Sequence, residues 1–453
     1  MITNPLYDPY CILMKVYGEK AYLKQAIADT YIEELYRART VKAAYGVLEN
    51  DEYFSFCIAH YAAKSPKQPV RVLLKVALYF LLFLQKKRYA VTDFAVELCK
   101  KLGKGGAAGF VNAFLRRFSE EEIAAAMPGG RKGLLIQTGY PEFAYKKLEK
   151  EYGKRAEKIA AAKSGGVSVR FLPPYKTEGA YLDRAKENGV RFTATPFVHG
   201  YVFDTFARNE GYDRGEYTFQ SVGSQAICDC IAPCKTLLDA CAAPGGKSVL
   251  LSEKCEKVTS FELHAHRAAL IEAYARRARR ENIEIYEKDS RIYDSAYEKS
   301  FDAVLCDVPC SGFGTVCENP DIKILKTAEV FASVAEDQRK ILAACANYVK
   351  ESGMLYYSTC SLFERENDGV VGEFLSSHPD FRAEKIDSAL PHEKKNFGLQ
   401  FLPDTAFGAG FYVSAMRRVG NAENNNGNNI QPEPKPQTKG EKTEGEKTGD
   451  ERK

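Results

Sequence analysis

A doubly wound, mostly parallel α/β fold is the architecture this sequence predicts, preceded by a small α+β module and an all-helical N-terminal region. Three observations carry that expectation. From about residue 216 onward, strand-like and helix-like stretches alternate, the signature of a parallel sheet covered by helices. Before residue 140, apolar residues recur only at helical spacing. Between the two lies a short stretch with both characters. At 453 residues the chain is also too long for one ordinary core.

In order along the chain, helical spacing appears in Ala26-Ile27, Tyr31-Ile32 and Leu35, then through 70–84, 94–98 and 110–118. Thr92 or Asp93 is a candidate cap for the helix carrying Glu97, and Gly103, Gly105 and Gly106 end it. Pro128-Gly129-Gly130 marks a boundary. GVSVRFLPPY (166–175) and GVRFTATPF (189–197) read as strands around a helical LDRAKENG (182–189). The later strands are TLLDAC (236–241), KVTSFEL (257–263), IEIYEKD (283–289), FDAVLCD (301–307) and GMLYYST (353–359). Helices fit 247–254, 265–280 and 335–350, and FLPDTA (401–406) with GAGFYVSAMRR (408–418) suits a closing hairpin. The expected units are 1–140, 141–215, 216–418 and a disordered tail, 419–453, which lacks the apolar residues to offset its ordering entropy.

Composition narrows the function classes. The formal charge of +4 is mild and conceals local basic clusters. No N-terminal basic-then-apolar segment reads as a signal peptide, so the thirteen cysteines are expected to be reduced thiols in a cytoplasmic protein. The apolar run Val76–Leu84 is too short to span a bilayer and reads as a core helix; no membrane association is expected. No Cys-x-x-Cys pair occurs, and Cys228, Cys230 and Cys234 lack a second pair at zinc spacing, so no metal is expected.

Four stretches carry chemistry. In LLDACAAPGGKSVLL (237–251) a strand ends at Asp239, and a small-residue loop with Gly245 and Gly246 leads into a helix at Lys247. Such a loop lets backbone approach a ligand at the switch point of the sheet; on its own it is equally a tight strand–helix turn. Glu262 ends the second strand, where an acid can accept ribose hydroxyls or simply open the next helix. Asp289 lies at the same edge. In VLCDVPCSGFGT (304–315), Asp307 and Cys310 point toward the crevice beyond the strands, while Gly312 and Gly314 keep the chain flexible. In YSTCS (357–361), Cys360 sits just past the fifth strand. Strands four and five should be neighbours, which would bring Cys310 and Cys360 to one site. Each alone is a small buried hydrophobe by default; two at adjacent strand ends, one beside an acid, suggest a nucleophile. A thiolate attacking C6 of a cytosine makes C5 electron-rich and able to take a methyl group. An acid near N3 would stabilise charge developing on the ring, and a second thiol could assist release.

DACAAPGGK (239–247), DVPCSG (307–312) and YSTCS (357–361) resemble the S-adenosylmethionine-dependent RNA cytosine-C5 methyltransferases. LLKVALYFLLFL, FAVELCKK and FVNAFLRR resemble a NusB-type RNA-binding domain. The combination is similar to the bacterial small-subunit (16S) rRNA methyltransferase B group, also called Sun or Fmu, over about residues 5–418. The resemblance implies a Rossmann-like methyltransferase sheet that binds S-adenosyl-L-methionine. Carried over by motif, Cys241, Ala242, Ala243, Pro244, Gly245, Gly246 and Lys247 would hold the methionine end. Glu262 would take the ribose hydroxyls, Asp289 the adenine side, and Asp307 the region between methyl donor and base. Arg267 would support the cofactor or RNA site, Cys360 would be the nucleophile, and Cys310 would help release the product.

Three positions depart from the family pattern. Ser221 stands where an aspartate is usual, Leu172 closes what is usually an Arg-Val-Asn triplet, and Glu318 occupies a place usually basic. The last two bear on RNA contacts. RNA-contact candidates are Lys86-Lys87-Arg88, Lys100-Lys101 with Lys104, Arg116-Arg117, and Arg276-Arg277 with Arg279-Arg280, each equally readable as a solvated helix face. A base-modifying enzyme needs its target unstacked, so a loop or flipped cytosine of small-subunit rRNA is the expected partner, met by a monomeric enzyme. Transfer RNA or large-subunit rRNA is the alternative substrate. An inactive RNA-binding assembly factor is the alternative class.

Overall fold

The computed structural model describes residues 4–419. Residues 420–453 of the expected disordered tail lie outside the described residues. Val419, placed in that tail by composition, is instead buried, and its N–H donates to the Asp380 carbonyl.

Two sheets follow a helical N-terminal region. The smaller comprises β1 (Val167–Phe171), β2 (Phe192–Ala194), β3 (Gly200–Phe203) and β4 (Tyr217–Phe219), in the order β2-β3-β1-β4 and antiparallel throughout. The larger contains β5 (Thr236–Asp239), β6 (Lys257–Glu262), β7 (Ile283–Glu287), β8 (Phe301–Asp307) and β9 (Val349–Thr359). It continues through β10 (Phe381–Glu384), β11 (Glu393–Lys394), β12 (Gly398–Phe401) and β13 (Phe411–Arg418). Its order is β11-β12-β13-β9-β8-β5-β6-β7, with β10 on β13. The strands from β5 to β9 pair in parallel, and β9 pairs β13 antiparallel. The strand order reverses between β5 and β8, which opens a crevice at their carboxyl ends.

Strand alternation explains the two cores. In β8, Ala303 and Leu305 face one side with Leu237, Tyr356, Ala226 and Ile227. Val304 and Cys306 face the other with Leu238, Tyr357, Leu342 and Val371. Successive strand side chains point to opposite faces, so a sheet covered on both sides reads as a continuous apolar run.

Helices from Tyr7–Glu19 to Gly130–Thr138 enclose a separate core that includes Leu13, Val47, Leu74, Leu78, Leu98 and Phe114. The segment after Asn319 reaches into it. Ile324 and Leu325 pack on this core, and Asp321 Oδ2 accepts the Leu23 N–H at 2.9 Å. Lys323 Nζ donates to the Thr138 carbonyl at 2.8 Å.

Several expectations need correction. Tyr31 and Leu35 are 81% and 82% exposed, because a non-helical turn between Leu23–Ala28 and Glu34–Glu49 breaks the phase that seemed to bury them. No helix starts at Thr92: the helix runs from Arg88, and the Thr92 hydroxyl donates back to the Arg88 carbonyl at 2.8 Å. The helix expected over 335–350 runs Ala328–Ala346, and strand β9 already begins at Val349. The closing hairpin is β12 with β13, so residues 402–406 are its connection and not a strand.

Candidate active site

The site lies where β5, β6, β8 and β9 end. The register pairs Asp307 with Ser358 across β8 and β9, so residues just beyond each strand meet over the same edge. Val308 N–H still bonds the Ser358 carbonyl. Past that point the chains diverge, one into Pro309–Thr315 and the other into Cys360–Phe363.

The two cysteines meet as the strand order requires. Cys310 Sγ lies 3.0 Å from Cys360 Sγ, and the Cys360 N–H donates to Cys310 Sγ at 3.3 Å. The amide bond and the sulfur–sulfur hydrogen bond together fix the Cys310 sulfur beside Cys360. That hydrogen bond lowers the Cys360 thiol pKa against the cost of burial, and its counterpart raises Cys310 well above the ordinary thiol range.

Beside them, Lys247 Nζ donates to Asp307 Oδ2 at 2.6 Å and Ser358 Oγ donates to Asp307 Oδ1 at 2.6 Å. Burial disfavours the Lys247 ammonium, but the Asp307 carboxylate outweighs it and raises its pKa. Lys247 also lies 5.8 Å from the Phe411 ring centre.

The loop Cys241–Gly246 crosses from β5 to the helix Gly246–Leu251. Ala242 N–H bonds the Phe261 carbonyl, and Gly245 N–H bonds the Ala242 carbonyl at 2.7 Å. Gly245 has φ +99°, and a Cβ there would stand 3.1 Å from the Ile271 Cα, so a side chain would be both strained and crowded. Burial raises the Cys241 thiol well above its ordinary range. Underneath, Asp239 accepts the Ser248 hydroxyl at 2.7 Å, while its Oδ1 is buried with no partner among the described residues. Burial pushes Asp239 up to about 6.

At the far side, Glu262 Oε1 accepts the His264 N–H and pairs with Arg267 at 3.2 Å. Arg267 also donates to the Ala243 carbonyl at 3.2 Å, tying the acid to the loop. Asp289 lies two residues past β7, not in it. Its carboxylate is held by Arg291 through Nε and Nη2, a bond that lowers its pKa.

Every predicted site residue thus lies along one edge, in two groups. Lys247 pairs with Asp307 and Cys310 touches Cys360; Arg267 ties Glu262 to the loop, and Asp289 follows β7 at the same edge. Sequence reading missed Ser358, although it stood inside YSTCS. It also missed Arg291, and the exposed Leu263 and Ile292 beside the two acids. These residues suit S-adenosylmethionine: a glycine-lined turn above Asp239, whose Oδ1 lacks a partner among the described residues, two carboxylates for hydroxyl and amino groups, and apolar side chains for a flat purine. Two of the three departures prove to be structural. Ser221 Oγ caps the helix Val222–Asp229, and Leu172 is buried against Val249 and Ala278. Burial raises the Tyr45 phenol pKa in the helical region, and Asp321 and Glu318 close by add to it.

The basic clusters divide. Arg88 bonds the Leu115 and Phe118 carbonyls, Arg277 bonds those of Tyr212 and Tyr217, and Arg280 pairs with Glu253. These serve packing. Lys86, Lys87, Lys100, Lys104, Arg116, Arg276 and Arg279 remain exposed.

Comparison with known proteins agrees with this geometry. The family described as 16S rRNA methyltransferase RsmB/F matches residues 231–417, and the NusB family matches 11–120. A probable ribosomal RNA small subunit methyltransferase B of Bacillus subtilis is 31% identical over 90% of this chain and 97% of its own. Ribosomal RNA small subunit methyltransferase B of Xanthomonas campestris is 28% identical over 77% and 81%. Among solved structures, that of PH0851 shares the fold over 92% of this chain and all of its own, with TM-score 0.75 and 19% identity.

Proposed function

The chain belongs to the 16S rRNA methyltransferase RsmB/F family, and from that premise we propose that it methylates C5 of a cytosine in small-subunit rRNA through a covalent Cys360–C6 bond. The observation that carries the reading is the contact of the Cys310 and Cys360 sulfurs beside the Lys247–Asp307 pair. S-adenosylmethionine supplies the electrophilic methyl group. Cys241–Lys247, Glu262, Arg267 and Asp289 would hold it, and Asp307 would serve the region near the methyl donor and the base.

The protein groups then act in sequence. The Cys360 thiolate, held by the Cys310 S–H, adds to C6 of the cytosine, and the electron pair of the 5,6 double bond moves into the ring. Asp307 faces N3 and offers it the proton shared with Lys247, which stabilises the charge gathered there. C5 is now nucleophilic and takes the methyl group. The C5 proton then passes to water, the C6–S bond breaks as the 5,6 double bond returns, and N3 gives its proton back to the Lys247–Asp307 pair; the Cys310 S–H hydrogen-bonds the departing Cys360 thiolate. A metal plays no part in this reading.

The RNA is the substrate for which the exposed cations and the NusB-like helices provide a surface. The chain acts as one cytoplasmic monomer in three units, 1–140, 141–215 and 216–418, although the small sheet takes its last strand, β4 (Tyr217–Phe219), from beyond residue 215. No helix among the described residues is long and apolar enough to cross a membrane. Transfer RNA or large-subunit rRNA is the second reading, since the cysteine site is indifferent to which RNA presents the base.

The test is transfer of labelled methyl from S-adenosylmethionine to small-subunit rRNA that lacks its own cytosine methylation. Wild type should yield 5-methylcytosine, Cys360→Ser none, and Cys310→Ser a trapped protein–RNA adduct. Label only on transfer or large-subunit RNA would move the substrate. Label on no RNA would sink the enzyme reading.

A further inference from the structure

The loop that carries Cys310 is anchored differently from the one that carries Cys360. Cys360 follows directly on β9, which is paired on both sides up to Ser358 and Thr359. Its carbonyl accepts the Gly314 N–H, and Asn367 holds both neighbours, accepting the Thr359 hydroxyl and donating to the Ser361 carbonyl. Cys310 has no such ladder. Between Val308 and Gly312, the main-chain hydrogen bonds among the described residues go to two side chains. Gln338 Nε2 donates to the Pro309 carbonyl at 2.9 Å, and Glu366 Oε2 accepts the Ser311 N–H at 2.7 Å. The two side chains touch each other, Gln338 Nε2 to Glu366 Oε2 at 3.4 Å, and both are fully buried.

This pair is costly to keep. Glu366 Oε1 and Gln338 Oε1 are buried with no partner among the described residues, and burial raises the Glu366 pKa. Apolar side chains would pack the space between the helix Ala328–Ala346 and the sheet without leaving two orphaned oxygens. Buried unsatisfied groups are rare and concentrate where the structure has another task. Here both grip the peptide groups on either side of one cysteine.

We propose that Gln338 and Glu366 are positioning residues for Cys310, fixing its sulfur against Cys360 so that the covalent RNA adduct is released, while attack by an already ionised Cys360 does not depend on them. The inference rests on the reading of Cys310 as the releasing thiol. It assigns a task to the acidic stretch that follows YSTCS, and to a glutamine far from any motif. Neither residue touches the base or the methyl donor; they act through the loop.

The experiment uses the full chain and unmethylated small-subunit rRNA. It follows the rate of covalent adduct formation and, separately, the fraction of enzyme trapped as adduct at steady state. The variants are Gln338→Ala, Glu366→Ala, the isosteric Glu366→Gln and the control Cys310→Ser. S-adenosylmethionine binding reports on the fold. Gln338→Ala removes one anchor only and serves should Glu366→Ala fail to fold. At a pH above the Cys360 titration, adduct should form at a rate within about twofold of wild type in Gln338→Ala and Glu366→Ala, yet accumulate at least severalfold. Glu366→Gln, whose amide oxygen can still accept the Ser311 N–H, should restore release. Cys310→Ser trapping adduct while the clamp variants match wild type, or slow attack and release equally, overturns this inference alone. Cys310→Ser failing to trap overturns both it and the assignment of Cys310.

Discussion

Gly314→Ala should damage this enzyme more than its single added methyl suggests. A Cβ at Gly314 would stand 1.9 Å from the Gly410 carbonyl oxygen, 2.6 Å from Gly410 C and 2.8 Å from the Cys360 carbonyl oxygen. Non-bonded carbon contacts settle at about 3.5–4.0 Å, so one of three backbone segments must move by more than about 1 Å. No flexible side chain can absorb the shift. Two hydrogen bonds cross at the same point, Gly314 N–H to the Cys360 carbonyl at 2.9 Å and Gly410 N–H to the Gly314 carbonyl at 2.7 Å. Overpacking costs about 1–3 kcal/mol and each strained bond about 1 kcal/mol. The sum is roughly 3–5 kcal/mol, read as a lower urea midpoint at unchanged slope. Because the displaced carbonyl belongs to Cys360, the proposed nucleophile, methyl transfer should fall on the order of a hundredfold. Gly109→Ala is the control: nothing lies within 4 Å of its added methyl, and its helix Ala108–Arg117 gains a better helix former. A Gly314→Ala protein with stability within about 1 kcal/mol of wild type and near-normal turnover would refute the argument that this crossing is closed.

Three further outcomes follow from the site. Cys310→Ala removes the S–H that favours the Cys360 thiolate, so the pH profile of Cys360 alkylation should shift upward; a profile that stays in place would remove Cys310 from the ionisation. Lys247→Met leaves the half-buried Asp307 carboxylate without its cation and should cost about 2–4 kcal/mol by urea unfolding. Adding Asp307→Asn should recover part of that loss, and strict additivity would show that the pair is not coupled. Asp239 is raised to about 6 in the folded protein, against about 3.9 unfolded. The folded state therefore binds the extra proton between those values, and stability contributed by this group falls as pH rises from about 4 to 6, by roughly 3 kcal/mol in all. The wild type minus Asp239→Asn difference in unfolding free energy should show that slope, and a flat difference would place Asp239 outside the buried environment.

How much was legible follows from the range over which each signal acts. Strand termini, the glycine turn at Gly245 and the order of motifs were readable because alternation, small residues and carboxylates at strand ends are local patterns. The adjacency of Cys310 and Cys360 was readable too, since chain order and right-handed crossovers leave little choice for neighbouring parallel strands. Tyr31 and Leu35 were misread because apolar spacing carries no record of a turn that changes helical phase. Gly312 and Gly314 were read as sources of flexibility. Yet Gly314 is closed in by Gly410 and Cys360, segments nearly a hundred and nearly fifty residues away, and nothing local announces such a crossing.

By itself the sequence determined the fold class, the edge at which the chemistry sits and the thiols that face each other there. Its periodicities and its motifs each depend on residues close together in the chain. Only the tertiary structure decided which cations face solvent and which hold carbonyls, and that Asp321 caps a helix of the distant N-terminal region. It also placed Gln338 and Glu366, from two separate helical turns, on either side of Cys310. Those contacts are set by packing between elements far apart in sequence, where a buried polar group has to find whatever partner the folded chain brings within about 3 Å.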